Sequence, residues 1–385
     1  MPYNSTVVIA IPVLLMGGTE IQTLNLAHVL VSAGYKVTIC CYYEYDADMV
    51  RQFEAAGVEV LLMNYQRANG LWHLSKGLIR LLKEKKPDIV HVQYLAPGFV
   101  PVIAARLAHV PVIFATVHQP ATVYGLKARL LLRTAARFCN AFFCVSRSAE
   151  ESWFENSEFL DPKAINTERR HFTIYNAVDV AGMDSIVRSV DRDEIRRSLK
   201  IDKRKVIGVI GRLRWEKGQK ILLHAINEVI KKIPDAMLMV IGDGPDMEDL
   251  KKTAEGLGIL DHVIWTGAKT PDEVWRLYSI MDVVAVPSIF EGFGLTAAEA
   301  MAAGVPVVAS DVDGLREVVE DGVTGYLIPV KDERALAERL IQVLNNPAQA
   351  QTMGSNGRNR VMRIFSIERF SDSILAIYDH YSKTP

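Results

Sequence analysis

The sequence of 385 residues has few cysteines and almost no net charge. Its four cysteines lie in or beside apolar stretches without a CxxC pair, at Cys40, Cys41, Cys139 and Cys144. This usage predicts buried, reduced thiols in a cytoplasmic protein. The formal net charge of −1 provides no strong electrostatic surface for nucleic acid, so we expect no nucleic-acid partner.

Long apolar runs are also missing, and none approaches the length of a membrane span. The apolar stretch VVIAIPVLLM lacks a basic leader and runs into Gly17-Gly18, which predicts a strand and not a signal peptide. We therefore expect a cytoplasmic protein. A small excess of basic residues in the first half is compatible with an anionic or membrane-surface partner.

What the sequence does contain is a regular alternation of short apolar runs and helical stretches. Apolar runs of strand length recur through the first half, and the alternation restarts at 206–210 after a charged helix predicted at 191–200. A chain of this length is too long for one ordinary core. The pattern therefore predicts an α/β fold with two parallel-sheet domains.

The stretch from Ser288 to Ser310 carries the strongest chemical signal. A predicted strand breaks at a glycine turn, Gly292 to Gly294, and a helix begins at Leu295. Bare backbone N–H groups at such a helix terminus suit a phosphate. Glu291 and Glu299 flank the turn; they would repel a phosphate but can accept hydrogen bonds from sugar and ribose hydroxyls. The pattern predicts a nucleotide-sugar site.

A second stretch, VIGVIGRLRWEKG, places two cations after a predicted strand. Arg212 and Lys217 follow Gly211 in the loop before a helix. Cations at the carboxyl end of a strand suit a leaving diphosphate. The order of glycine and lysine, without a following Ser or Thr, differs from a Walker A loop.

These motifs together resemble glycosyltransferase family 4. The resemblance rests on the E-x7-E spacing with GFG inside it, the G-R-x5-K-G motif, and the run GGTEIQTLNLAHVLVSAGYKVTI. It implies a GT-B fold, in which two Rossmann-like parallel-sheet domains face each other across a cleft. HFTIYNAVDV resembles the family's crossover, so we expect an acceptor-side domain at 1–178, a donor-binding domain at 179–365, and a helix at 366–385 that packs back on the first.

The resemblance also implies residue roles. Arg212 and Lys217 would neutralise the departing diphosphate, His118 would contact the transferred sugar, and Glu299 would hold the ribose. The implied catalytic set is His118, Arg212, Lys217 and Glu291. The implied donor-binding set is Gly17, Gly18, Gly267, Gly292, Phe293, Gly294, Leu295, Thr296 and Glu299.

The activity that the resemblance implies is retaining transfer of a sugar from a nucleotide diphospho-sugar to an acceptor hydroxyl. We expect a UDP-sugar first and a GDP-sugar next, with a glycan or lipid-linked acceptor in the assembly of a bacterial surface polysaccharide, lipopolysaccharide or glycolipid. No cofactor and no essential metal are expected, although Asp311-Val312-Asp313 mimics a metal-binding DxD.

Basic side chains repeat along one predicted helix, 124–139. Arg129, Arg133 and Arg137 are four residues apart and so share a face. They are candidates for contact with an anionic membrane or a lipid-linked acceptor, at the periphery of the inner face of the plasma membrane. A solvated helix face is the competing interpretation.

Three other functions remain open from the sequence. A sugar-nucleotide epimerase can share the GT-B fold but would need acid–base pairs. A dinucleotide-dependent oxidoreductase is suggested by the glycines at 242 and 244, although no third glycine follows. A catalytically inactive binding module would usually have lost Lys217 or Glu291.

Overall fold

The computed structural model describes residues 5–94, 99–166, 168–201 and 203–382. The chain divides into two compact units, one made of residues 1–177 and 368–385 and the other of residues 178–367. Each unit is built on its own parallel sheet.

The first unit contains a seven-stranded sheet in the order β3-β2-β1-β4-β5-β6-β7, with every neighbouring pair parallel. Its strands are β1 Thr6–Ile11, β2 Lys36–Cys41, β3 Glu59–Leu62, β4 Ile89–Tyr94, β5 Val112–Val117, β6 Ala141–Cys144 and β7 His171–Thr173. Its helices are α1 Gly18–Ser32, α2 Ala47–Ala55, α3 Gly70–Lys85, α4 Phe99–Leu107, α5 Leu126–Ala136 and α6 Arg147–Phe154, together with most of α16, Ile367–Ser382.

The core of this unit follows from the sequence periodicity. The central strands are mostly apolar, as expected where helices cover both faces of a parallel sheet, although the middle strand β4 also carries the buried polar residues His91 and Gln93. Helix α3 buries Leu74, Leu78 and Leu82, which are spaced by four and lie on one face. Helix α16 adds Tyr378, which is fully buried and packs on Phe114 with ring centroids 4.9 Å apart.

The second unit contains a six-stranded parallel sheet in the order β10-β9-β8-β11-β12-β13. Its strands are β8 Lys205–Ile210, β9 Ala236–Ile241, β10 Val263–Gly267, β11 Val283–Val286, β12 Val307–Ser310 and β13 Gly325–Ile328. Its helices are α7 Val180–Val187, α8 Arg192–Ser198, α9 Gln219–Lys232, α10 Met247–Gly256, α11 Pro271–Tyr278, α12 Leu295–Ala302, α13 Asp313–Val318, α14 Glu333–Asn345 and α15 Pro347–Ile364.

Helix α12 is largely buried in the second unit. Its residues from 297 to 302 are buried except for Glu299, which is only partly exposed. Gly354 allows α15 to approach the end of α12 closely, since a Cβ added there would lie 1.9 Å from the carbonyl oxygen of Gly304. Helix α12 is therefore packed closely against the rest of the second unit.

The predicted class, an α/β fold with two parallel sheets, is confirmed. Helix ends differ from the predictions by a few residues. The helix predicted at 124–139 is shorter, running from Leu126 to Ala136. Residues 383–385 of the predicted last helix lie outside the described residues.

Candidate functional site

The second sheet changes its direction of growth at β8, which has β9 on one side and β11 on the other. Loops that leave adjacent strands in opposite directions create a crevice at the carboxyl ends of those strands, where open α/β sheets bind ligands. Here the loop after β8 holds Arg212 and Lys217, and the loop after β11 holds the glycine turn. The two loops touch, since the Ile289 N–H donates to the Glu216 carbonyl at 2.8 Å.

An ion pair joins these two loops. The Lys217 ammonium donates to Glu291 Oε2 at 2.8 Å, and the side chains keep 33% and 17% of their surface exposed. The geometry depends on Gly218, which has φ +71° and whose absent Cβ would lie 2.0 Å from the Pro287 carbonyl oxygen. The structure thus brings together a cation and a carboxylate that are 74 residues apart in the chain.

Arg212 lies near the beginning of the loop that follows β8, before Lys217 in the chain. Its side chain is exposed and, within the described residues, forms no ion pair. Together with Arg214, Asp243 and Gly244 it lines an open pocket of about 400 Å³. This leaves the Arg212 guanidinium available to an anion.

The glycine turn before α12 is a strained and closely packed segment. Gly294 has φ +101°, and a Cβ there would lie 2.5 Å from Leu315 Cδ2. Gly314, near the beginning of α13, has no room for a Cβ either, because the Phe293 nitrogen would be 2.7 Å away. Phe293 itself is buried against Phe365, with ring centroids 5.4 Å apart. Its side chain therefore serves the core, and only its backbone can face a ligand.

Three residues at or just before the beginning of α12 are accessible to solvent. Gly292, Leu295 and Thr296 are all partly exposed, and the N–H groups that open the helix have no carbonyl partner within it. The helix dipole places partial positive charge at the same point. The turn therefore has the geometry of an anion site.

Glu299 lies one turn further along α12. Burial raises the pKa of its carboxyl to about 7, against the opposing effect of the nearby Tyr278 hydroxyl and Trp275 indole N–H. The Tyr278 hydroxyl is 3.5 Å from Glu299 Oε2. Glu299 is thus a poorly solvated acid that lies beside two aromatic residues of α11.

Gly267 ends β10, an edge strand of the second sheet that β9 and β8 separate from β11. It has φ +72°, and nothing lies within 4 Å of the position of a Cβ. Its carbonyl oxygen accepts from the Gly242 N–H at 2.9 Å. Gly267 therefore joins the loops after β9 and β10 at the same sheet edge.

The glycines that suggested a dinucleotide fold have a packing explanation. A Cβ at Gly242 would lie 2.0 Å from the Gly211 carbonyl oxygen, and one at Gly244 would lie 2.3 Å from that of Leu213. The Asp243 side chain accepts from the Gly244 N–H at 2.7 Å. Loop packing alone accounts for both glycines.

In the first unit, His118 directly follows β5. Its Nε2 lies 2.8 Å from Gln93 Oε1, and desolvation lowers the pKa of the imidazole to about 4. His118 is neutral at physiological pH.

Gly17 and Gly18 form the beginning of α1. Gly17 is the N-cap with extended backbone, φ −171° and ψ 166°, and makes no side-chain cap bond. A Cβ on Gly17 would lie 2.7 Å from Glu20 Oε2, so the small residue leaves room for that buried carboxylate. The first-turn N–H groups are the part of this turn suited to an anion.

The three arginines predicted on one helix face have different environments. Arg129 is partly buried and its Nε donates to the carbonyls of Ala121 and Tyr124, at 2.7 and 2.9 Å. Arg133 lies 3.6 Å from Glu155, and Arg137 is the C-cap of α5. Of the three, only Arg133 and Arg137 are exposed. Arg129 is less exposed because its side chain is bonded to the turn that precedes α5.

Two further observations concern metals and membranes. Among the described residues no group of three or more His, Cys, Asp or Glu side chains could hold a metal ion. Asp311 and Asp313 both pair with Arg316. No helix in the described part of the chain is both long and apolar enough to cross a bilayer.

Sequence reasoning missed Gln93, beside His118 in the first unit, and two residues beside Glu299 in the second unit, Trp275 and Tyr278. Gln93 could have been found, because it stands near the carboxyl end of a predicted strand next to the one that carries His118. Trp275 and Tyr278 gave no signal, since their contact with Glu299 depends on how α11 packs on α12.

Two family models match the chain, one on each half. "Glycosyltransferase Family 4" matches residues 16–181 and "Glycosyl transferases group 1" matches residues 191–360. A D-inositol 3-phosphate glycosyltransferase of Corynebacterium urealyticum is 30% identical over 309 residues, covering 76% of this chain and 71% of that protein. The UDP-Gal:alpha-D-GlcNAc-diphosphoundecaprenol alpha-1,3-galactosyltransferase of Escherichia coli is 26% identical over 380 residues, 94% of each chain.

Other matches bear on extent and fold. The chain spans about half the length of some curated relatives that it matches, 50% and 53% in two cases. The crystal structure of Anabaena Alr3699/HepE in complex with UDP and glucose has a TM-score of 0.84 at 20% identity, over 98% of this chain and 100% of that one. With both halves matched and one relative aligned over most of its length, the chain belongs to glycosyltransferase family 4, and its two parallel-sheet units have the GT-B fold predicted from the sequence.

Proposed function

We propose that the protein is a retaining glycosyltransferase that moves a sugar from a nucleotide diphospho-sugar to an acceptor hydroxyl. The observation that carries this proposal is the convergence, at the β8–β11 crevice, of Lys217, Glu291, the N-terminus of α12 and Glu299. One edge of one sheet thus offers positive charge for a diphosphate and, on either side of it, carboxylates for hydroxyls.

The residue roles in this proposal follow the distribution of charge. As the bond to the sugar breaks, negative charge develops on the diphosphate. Arg212, Lys217 and the first N–H groups of α12 stabilise that charge, and electrostatic stabilisation of this kind is usually the largest catalytic contribution. Lys217 leaves its present partner, Glu291, when the diphosphate arrives, and Glu291 then accepts from sugar hydroxyls. Glu299 accepts from the ribose.

No step in this proposal needs a cofactor or an essential metal. The two arginine-bound aspartates, Asp311 and Asp313, already have a cationic partner in Arg316. Within the roles assigned here no carboxylate acts as a covalent nucleophile, and the leaving phosphate takes the acceptor proton.

We propose a UDP-sugar as donor, ahead of a GDP-sugar. The Anabaena neighbour was crystallised with UDP and glucose, and the E. coli relative is named for UDP-Gal. That relative is also named for a lipid-diphosphate-linked acceptor, which supports a glycan or lipid-linked acceptor and a place in bacterial surface polysaccharide, lipopolysaccharide or glycolipid assembly.

The surface of α5 supports a peripheral site on an anionic membrane. Leu126 and Leu130 are 83% and 69% exposed, are spaced by four, and stand beside the exposed Lys127. Apolar and basic side chains on one helix are typical of helices that lie in a membrane interface. The leucines, rather than the braced Arg129, are the residues we expect to insert.

Vesicle sedimentation tests the membrane part of the proposal. The protein should pellet with phosphatidylglycerol vesicles and not with phosphatidylcholine vesicles, and Leu126→Gln with Leu130→Gln should abolish pelleting. Leu260→Gln, at a 44% exposed leucine of the second unit, is the matched control. Equal pelleting of all three proteins would remove α5 from the proposal.

A thermal-shift panel with UDP, GDP, ADP and NAD tests the donor site. A ligand that binds only the native state raises the melting temperature according to its affinity. UDP should give the largest rise, and Lys217→Ala and Glu299→Ala should reduce it. Stabilisation by NAD alone would instead favour the oxidoreductase, and epimerised donor in the absence of acceptor would favour the epimerase.

A further inference from the structure

Gln93 and His118 are brought together by the register of two neighbouring strands. β4 and β5 are parallel, with Gln93 opposite Thr116, so the residue that follows β5 by one position reaches back to Gln93. The Gln93 side chain is 2% exposed, and its Oε1 lies 2.8 Å from His118 Nε2. This is a buried, long-range and geometrically specific contact.

The contact determines which imidazole nitrogen carries the proton. His118 is neutral, since its pKa lies near 4, and a neutral imidazole has one N–H and one bare nitrogen. An amide oxygen can only accept, so the proton belongs on Nε2. Nδ1 makes no hydrogen bond within the described residues, and His118 keeps part of its surface exposed. Nδ1 is therefore a bare acceptor.

The residues around Gln93 and His118 add no positive charge to the pair and leave no room for a sugar. His91 is fully buried, with Nδ1 2.7 Å from the Tyr378 hydroxyl and Nε2 2.7 Å from Thr116 Oγ1, and its own pKa falls to about 3. It therefore places no positive charge beside His118. His91, Gln93 and Thr116 line a cavity of about 20 Å³ next to His118. It is too small for a sugar, so these three side chains do not bind substrate within it.

We propose that Gln93 is a positioning residue that holds His118 in the Nε2–H tautomer and presents Nδ1 as a hydrogen-bond acceptor for a hydroxyl of the transferred sugar. The inference rests on the proposed function for the identity of that hydroxyl. It gives His118 a defined chemical role: the imidazole receives a hydrogen bond from the sugar and neither donates a proton to the leaving diphosphate nor adds positive charge beside it.

Nitrogen NMR of the full chain tests the tautomer directly. The protein is labelled with ¹⁵N-histidine, and two-bond ¹H–¹⁵N spectra distinguish the two neutral tautomers of each of its nine histidines. The signal of His118 is assigned by its loss in His118→Asn. We expect the Nε2–H form in the wild type and, in Gln93→Leu, a mixture or the Nδ1–H form.

The matched control is Gln22→Leu. Gln22 lines the same cavity, but its amide bonds to the backbone N–H and carbonyl of Ala177, each at 2.8 Å. Its loss should lower stability and leave the His118 tautomer unchanged. If Gln22→Leu shifts the tautomer as Gln93→Leu does, the effect is general loosening and the inference fails.

Kinetics complete the test. With a UDP-sugar that supports turnover, Gln93→Leu should lower kcat about tenfold, the loss of one hydrogen bond in the transition state, with a smaller change in donor KM. An Nδ1–H tautomer in the wild type, or a Gln93→Leu spectrum identical to wild type, overturns the inference whatever the activity. The expected spectra in a protein that transfers no sugar would refute the proposed function and leave the tautomer assignment standing.

Discussion

Replacing Glu299 by glutamine should stabilise the ligand-free protein at alkaline pH and not at acid pH. The carboxyl has an ordinary pKa of 4.5 and a folded-state pKa of about 7. Between these values the unfolded chain has released the proton while the folded chain still holds it. Stability is therefore lost as pH rises from about 4.5 to about 7 and stays at the lower level above that.

The size of the effect follows from the shift. At 1.36 kcal/mol per pKa unit, the rise from 4.5 to about 7 sets an upper limit of about 3.5 kcal/mol. Glu299 keeps some exposed surface, and solvent reduces such effects, so about 1–2 kcal/mol is the working expectation. For a unit of this size, 1 kcal/mol changes the melting temperature by about 2–4 °C, which gives a gain of roughly 2–8 °C at pH 8.

The assay is calorimetry of wild type and Glu299→Gln at pH 5, 6, 7 and 8, following the transition that UDP shifts. The difference between the two proteins should grow between pH 5 and 7 and then level off. Glu273→Gln is the control with opposite sign, because a backbone hydrogen bond at the Thr270 cap lowers the pKa of Glu273 and its removal should reduce stability above pH 4.5. A gain in Glu299→Gln that is equal at pH 5 and pH 8, or no gain at pH 8, would refute the reasoning.

Three further predictions concern the ion pair, the glycine turn and the buried histidine. Lys217→Ala should weaken UDP binding, measured by titration calorimetry, by about 10- to 150-fold, which corresponds to the loss of a hydrogen bond to a charged group. The control is Lys220→Ala, three residues further along and paired with Asp249, which should leave the UDP affinity unchanged. Gly294→Ala should cost about 1–3 kcal/mol of backbone strain plus its clash with Leu315, and Gly304→Ala, which also has positive φ but open space around it, should cost only the strain. Urea denaturation measures both losses in the free energy of unfolding; equal losses for Gly294→Ala and Gly304→Ala would show that packing at Gly294 is unimportant. Burial lowers the pKa of His91 to about 3, so the unfolded chain takes up the proton first as pH falls below 6.5, and stability should decline toward pH 4. His91→Phe should flatten that decline. An unchanged slope would contradict the lowered pKa of His91.

The sequence predicted the layers of the molecule because periodicity and glycine turns are local. The strand at 206–210, the turn at 292–294 and the helix from Leu295 are each visible in a short window, and the structure has all three. The α/β class and the position of the motifs at strand ends needed no more than this.

Contacts between distant segments were beyond that reasoning. The Lys217–Glu291 pair joins residues 74 positions apart, and only the neighbouring of β8 and β11 brings them together. The environment of Glu299 depends on α11 packing against α12. Arg129 shows the same limit in reverse: helical spacing places it with Arg133 and Arg137, but two carbonyls of the preceding turn hold its side chain.

The return of α16 to the first unit has a consequence for the order in which the units are completed during synthesis. Ile374, Ile377 and Tyr378 are buried in the first unit, yet they leave the ribosome after the whole of residues 178–367. Since domains generally fold as units once their residues are available, the second unit has all of its residues before the first does. The nascent first unit therefore carries an uncovered apolar site around Phe114 until α16 emerges, and a ribosome that stalls before residue 368 leaves a finished second unit attached to an unfinished first unit.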